Sequence, residues 1–138
     1  MGLTVIDAGV LIGFLDTEDG HHRAARRELE SARRRGDQVA IPASAFAEAL
    51  VFPSRAGKAA VQAVQEFAER LPLVISGLDA DIAVVAANLR ARHGQRLKLP
   101  DALVVATAIQ SEADVLVTTD REWPTKSRLG YRGNLIRL

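Results

Sequence analysis

Short apolar runs alternate along the chain with longer stretches in which apolar residues recur every third or fourth position, the signatures of strand and helix. Leu3 to Ile6 predicts a first strand and Ala8 to Leu15 a buried helix ending near Asp16. Asp19 is placed to cap a helix from about His21 to Arg35, which Gly36 stops. Val39 to Ile41 predicts a second strand, after which Pro42 opens a helix to about Phe52 and Pro53 ends it. From Gly57 to Leu71, the residues Val61, Val64, Ala68 and Leu71 make one buried helical face, and Pro72 closes the element. Leu73 to Ile75 predicts a third strand. Asp79 caps a helix with the stripe Ile82, Val85 and Leu89 that ends near Gly94, and Gln95 to Leu99 reads as loop. Pro100 suits the first turn of a helix reaching about Glu112, followed by a β-branched strand at Val115 to Thr119. Arg121 to Gly133 is loop-like, with a last strand at Leu135 to Leu138.

Strands separated by helices predict an α/β fold with a mostly parallel central sheet flanked by helices, because parallel neighbours need long crossovers and helices supply them. In such sheets ligands bind at the carboxyl edge, where the strand order reverses. With 138 residues and no internal repeat or linker, the chain is expected to be one domain over 1–138. A hydrophobic share of 48% with 25% charged excludes disordered and fibrous classes. The longest uncharged stretches, Gln38 to Ala47 and Ala102 to Ser111, are 10 residues each, against the ~18 that a membrane span needs. No basic segment precedes the first apolar run and Asp7 interrupts it, so no signal peptide is expected. The absence of cysteine excludes disulfide scaffolds, thiol catalysis and cysteine-based zinc sites, and fits a cytoplasmic location.

The net charge of +1 implies no polyanion partner by itself, but the charges are unevenly spread. Six arginines lie between Arg23 and Arg35, where Ala25, Leu29 and Ala32 mark the opposite, apolar stripe; this cluster reads as a solvated helix face. Five bases follow Asp120 against the single acid Glu122, and of these Arg121, Lys126 and Arg128 are the candidates for contact with a polyanion.

Four acids are nearly the only charges in stretches that are expected to be buried. Asp7 is alone from Met1 to Leu15, Asp101 is alone from Leu99 to Ser111, and Asp120 follows an apolar strand. Glu48 sits mid-helix in Ala43 to Phe52, where eight of ten residues are apolar, so that no face is left for solvent. Asp7 has a second reading as a helix N-cap, Asp101 as a partner of a helix dipole, and Asp120 as a turn residue. Glu48 has no capping role. The expected strand and helix lengths bring all four to one sheet edge, where carboxylates repel by about 4 kcal/mol per pair at 4 Å and an effective dielectric of 20. A hard divalent cation, Mg²⁺ or Mn²⁺, relieves that repulsion with oxygen ligands, and can activate water and clamp a phosphodiester. His21, His22 and His93 lie at helix ends away from the acids and read as surface or capping residues.

The segments VIDAGVLIGFLDTEDGHHRAA (5–25), IPASAFAEAL (41–50), LKLPDALVVATAIQ (97–110) and VLVTTDREW (115–123) stand in an order and spacing that resembles the PIN-domain nucleases, and within them the VapC-type toxins of toxin–antitoxin pairs. The resemblance implies a PIN-like three-layer fold and a metal-dependent ribonuclease restrained by a small antitoxin, commonly as a homodimer. It maps the family's metal-binding acids onto Asp7, Glu48, Asp101 and Asp120, and its threonine before the last acid onto Thr118. Ser44, four residues before Glu48, faces the same side of the helix and is a candidate support for the site. The family's Asp-x-Asp-Phe is Asp120, Arg121, Glu122 and Trp123 here, which makes Glu122 an outer acid; Trp123 reads either as a base-stacking residue or as a core anchor.

Two other functions are weighed. A phosphoaspartyl enzyme also puts an aspartate at a strand end, but usually needs a second acid two residues on or a late lysine; Gly9 holds the first position and Lys126 lies in loop-like sequence. A non-catalytic PIN-like module that binds RNA or a partner is disfavoured by the complete set of four acids.

Overall fold

A computed structural model describes residues 2–138. Five strands, β1 (Leu3–Ile6), β2 (Gln38–Pro42), β3 (Leu73–Ser76), β4 (Val115–Thr118) and β5 (Asn134–Arg137), form one sheet in the order β3-β2-β1-β4-β5. Every pairing is parallel. The central strands are the most apolar because both of their faces are covered: Val5, Ile6, Leu116 and Val117 are fully buried. At the edge, β3 exposes Val74 and Ile75.

The helices are α1 (Ala8–Leu15), α2 (His22–Arg35), α3 (Ala43–Ala56), α4 (Lys58–Arg70), α5 (Ala80–His93), α6 (Leu99–Gln110) and α7 (Lys126–Leu129). The crossovers are α1 with α2, α3 with α4, and α5 with α6, and the fold is the α/β sheet flanked by helices that the alternating pattern predicts. The chain steps outward from β1 to β3 and then returns to lay β4 on the other side of β1. The strand order therefore reverses between β1 and β4, the position at whose carboxyl edge ligands bind in sheets of this kind. Among the described residues no helix is long and apolar enough to cross a membrane.

Several boundaries differ from the expected ones. Helix α3 runs through Pro53 to Ala56: the proline gives up its own bond to the Ala49 carbonyl, but its carbonyl still accepts from the Gly57 N–H at 3.1 Å and the last turn closes. Asp19 does not cap α2; its carboxylate accepts from the His21 N–H at 2.8 Å and shapes the turn before the helix, whose N-cap position is His21 without a side-chain bond. A turn of 3₁₀ helix (Gly94–Arg96) occupies part of the expected loop before α6, and α7 occupies part of the loop-like stretch after Asp120. Helix α6 stops at Gln110, and the chain turns through Glu112 at φ 52°.

The largest correction concerns Glu48. Helix α3 is apolar almost all round in sequence, yet one side of it is open: Glu48 is exposed, Val51 is 49% exposed and Phe52 is 78% exposed. Only Ala45 and Ala49 are buried on this helix.

Candidate active site

Asp7 is the residue at which β1 becomes α1, beside the carboxyl end of β4. It is buried, and it carries both readings at once. One oxygen caps α1 by accepting from the Val10 N–H at 3.0 Å, as a helix N-terminus favours. The other accepts a short hydrogen bond from the Thr118 hydroxyl and a longer one from the Thr119 N–H at 3.4 Å. Thr118 in turn accepts from the Asp120 N–H at 3.0 Å, so one buried threonine ties the ends of β1 and β4 together. Asp120 accepts from the Glu122 N–H at 2.8 Å, which fixes the turn that carries this outer acid.

The close approach of these segments depends on Gly9. A Cβ there would stand 2.1 Å from the Thr119 hydroxyl and 3.1 Å from its Cβ, so the loop after β4 would have to withdraw from α1. Gly9→Ala is expected to lower stability by about 1–3 kcal/mol, the usual cost of overpacking, and to loosen the Thr118–Asp7 link. Denaturant unfolding of the variant checks this, and an unchanged midpoint would show that the loop yields freely.

Asp101 lies in the first turn of α6 and Asp120 just beyond β4, and with Glu122 they line a cavity of about 570 Å³ completed by Gln95, Arg96 and Lys98. Asp101 is the acid on which the other three act. Burial first, then the charges of Asp120, Asp7 and Glu48, push the Asp101 carboxyl up to about 6. Asp7 is raised mainly by burial and slightly by Asp120, and Glu48 is raised by lost hydration and by Asp7. No arginine, lysine or histidine forms an ion pair with any of the four among the described residues.

A carboxyl whose pKa is raised by folding makes the native state bind more protons than the unfolded chain between the two values. Stability then falls as pH rises through that window and returns on acidification. For Asp101 the window runs from its ordinary value of 3.8 to about 6, and Asp7 and Glu48 are shifted in the same direction. Metal-free protein is expected to melt at higher temperature at pH 5 than at pH 7, and Asp101→Asn is expected to shrink the difference. Thermal melts in chelator test this; a variant with the full pH response would remove Asp101 as its source.

The donor set fits a hard divalent cation, being all oxygen, four like charges and no paired base. The carboxylates are not drawn about one point: Asp101 and Asp120 line the cavity, Asp7 and Glu48 do not, and among the described residues no three His, Cys, Asp or Glu groups are gathered closely enough to hold an ion. Ligation would draw them inward by side-chain rotation, for which exposed Glu48 and Glu122 have the freedom.

The remaining candidates fall in different places. The Ser44 hydroxyl is buried with no hydrogen-bond partner. Trp123 is 2% exposed, a core anchor with no face for stacking a base; its N–H lacks a partner at hydrogen-bond distance but lies close enough to Asp101 to lower its pKa slightly. Arg121 donates to the Leu138 carbonyl at 3.0 Å and Lys126 to the Gly133 carbonyl at 3.1 Å, while Arg128 is exposed on α7. Arg137 staples the same loop, donating to the carbonyls of Trp123 and Pro124. His22 bonds the Gly13 carbonyl, and none of the three histidines lines the acidic cavity. The bases that do line it, Arg96 and Lys98, carry no sequence signal beyond their nearness to Asp101 in the chain, and Gly9 is read only as a position lacking an acid.

Comparison with known proteins agrees with this fold. A model of the PIN domain matches residues 4–129. The chain belongs to the PIN domain family. Among solved structures, VapBC2 from Rickettsia felis, bound to a DNA fragment from its promoter, is 20% identical with a TM-score of 0.72, covering 96% of each chain. Mycobacterium tuberculosis VapC20, a toxin that cleaves the sarcin–ricin loop, is also 20% identical with a TM-score of 0.72, over 94% of this chain and 96% of that one. A toxin–antitoxin complex from Klebsiella pneumoniae is 25% identical with a TM-score of 0.64, over 88% and 96%. At the sequence level, an uncharacterized protein of Archaeoglobus fulgidus is 52% identical over 44 residues, 32% of this chain and 66% of that protein. The shared architecture is thus the PIN fold of VapC proteins.

Proposed function

We propose that this PIN domain is a metal-dependent endoribonuclease of the cytoplasm, the toxin of a toxin–antitoxin pair, acting through Asp7, Glu48, Asp101 and Asp120. The observation that supports the reading is a set of acids in which Asp101 is repelled by Asp120, Asp7 and Glu48 and none of the four forms an ion pair among the described residues, at the carboxyl edge of the parallel sheet where ligands bind. A bound Mg²⁺ or Mn²⁺ would supply neutralisation of the phosphate's charge and activation of water. The chain's own work is placement: Thr118 orients Asp7 and the backbone of Asp120 together, and Asp120 positions Glu122. Ser44, with its hydroxyl unpartnered, supports the same wall of the site through its place one turn before Glu48.

VapC-fold relatives described as toxin–antitoxin complexes support a small antitoxin as the partner. Val51 and Phe52 on the open side of α3 suit burial in a homodimer. Incubating the protein with total RNA and Mg²⁺ or Mn²⁺, beside a chelated control, tests the reading. Discrete metal-dependent fragments are expected; intact RNA under all conditions would leave a PIN domain that binds without cutting.

A further inference from the structure

Arg96 and Lys98 flank Leu97, which is fully buried while both neighbours are exposed. Leu97 has φ −141° and ψ 90°, and in such extended backbone the residues on either side project to the face opposite the central one. With Leu97 pinned in the core, the two cations are turned outward together. They border the same cavity as Asp101, Asp120 and Glu122. Yet neither makes an ion pair or a side-chain hydrogen bond among the described residues, in contrast to Arg121, Lys126 and Arg137, each of which donates to at least one backbone carbonyl. Gly94, in the left-handed region at φ 57°, makes the turn that brings this segment from α5 to the lip of the pocket.

An RNA strand brings one negative charge per nucleotide to a cavity lined by Asp101, Asp120 and Glu122, so capture needs positive charge beside those acids and not consumed by them. Resting on the ribonuclease reading above, we propose that Arg96 and Lys98 hold the backbone phosphates next to the one that is cut. Arg96 offers a planar fork that can engage two phosphate oxygens, and Lys98 a point charge. Contacts of this kind position a strand without reading its sequence. The arginines of α2 take no part: Arg26 and Arg33 border a different, mainly apolar groove with Phe14, Leu29 and Phe67.

Binding of a short, labelled, mixed-sequence single-stranded RNA by the cleavage-blocked Asp7→Asn protein in Mg²⁺, followed by fluorescence anisotropy over a salt series, tests the proposal. Adding Arg96→Ala and Lys98→Ala should weaken binding and reduce the slope of log affinity against log salt by about 0.7 per lost contact, about 1.4 for the pair. Arg96→Lys with Lys98→Arg should retain the slope, and Arg33→Ala with Arg34→Ala should leave both quantities unchanged. Equal affinity and slope in the Arg96 and Lys98 double variant, at unchanged melting temperature, would overturn the proposal. So would a lack of measurable RNA binding by the Asp7→Asn protein. If the wild-type chain still cuts total RNA in either case, only this inference fails; if it cuts none, the ribonuclease reading fails with it.

Discussion

Asp7→Asn should lower RNA cleavage by about 10³-fold or more, because the lost carboxylate removes several kcal/mol of charge stabilisation at about 1.4 kcal/mol per decade. The substitution separates the two roles that Asp7 carries. The asparagine oxygen can keep the bond from the Val10 N–H, and asparagine is as good an N-cap as aspartate, while its amide NH2 takes the place of the oxygen facing Thr118 and can donate to the threonine hydroxyl with the direction of that bond reversed. The fold should therefore persist, and without metal it should be at least as stable as the parent, since a buried, desolvated charge has been taken away. Gel-resolved cleavage and a thermal melt on the same preparation check both halves. Parallel loss of folding and activity would make Asp7 a cap alone.

Mg²⁺ or Mn²⁺ should raise the melting temperature strongly. A ligand bound only by the folded state adds about 2.7 kcal/mol at a concentration of 100 Kd, which for a chain of this size corresponds to roughly 10 °C. Glu48→Gln should reduce that increase while leaving metal-free stability within about 0.5 kcal/mol, the usual range for an exposed position. Titration calorimetry at millimolar metal provides the direct measurement, and absence of heat with an unmoved melting curve would reject the carboxylate cluster as a metal site.

The element pattern of this chain was open to reading because each break has a local cause. Gly36 stops α2 in a left-handed conformation, Asp79 caps α5 through the Ile82 N–H, and Pro100 sits in the first turn of α6. These causes act within a few residues, so they survive translation into sequence rules. Pro53 misled because the proline removes one bond, to the Ala49 carbonyl, while the following turn still closes on the Pro53 carbonyl. Glu48 misled for a different reason. Apolar neighbours on every side state what a helix is able to bury, and solvent exposure is decided by what packs against it.

The sequence by itself determined the α/β order and singled out Asp7, Glu48, Asp101 and Asp120, because turn chemistry, hydrophobic period and an isolated charge are local properties. Tertiary structure alone decided the order β3-β2-β1-β4-β5, which places the ends of β1 and β4 side by side, and the Thr118 bridge between Asp7 and the Asp120 backbone across 111 residues of chain. It alone decided that Arg96 and Lys98 border the cavity of Asp101 and Asp120, while Arg121 and Lys126 each give one donor to a backbone carbonyl. The direction of a side chain is set by which neighbour is anchored in the core, here Leu97, and anchoring depends on contacts between segments distant in the chain.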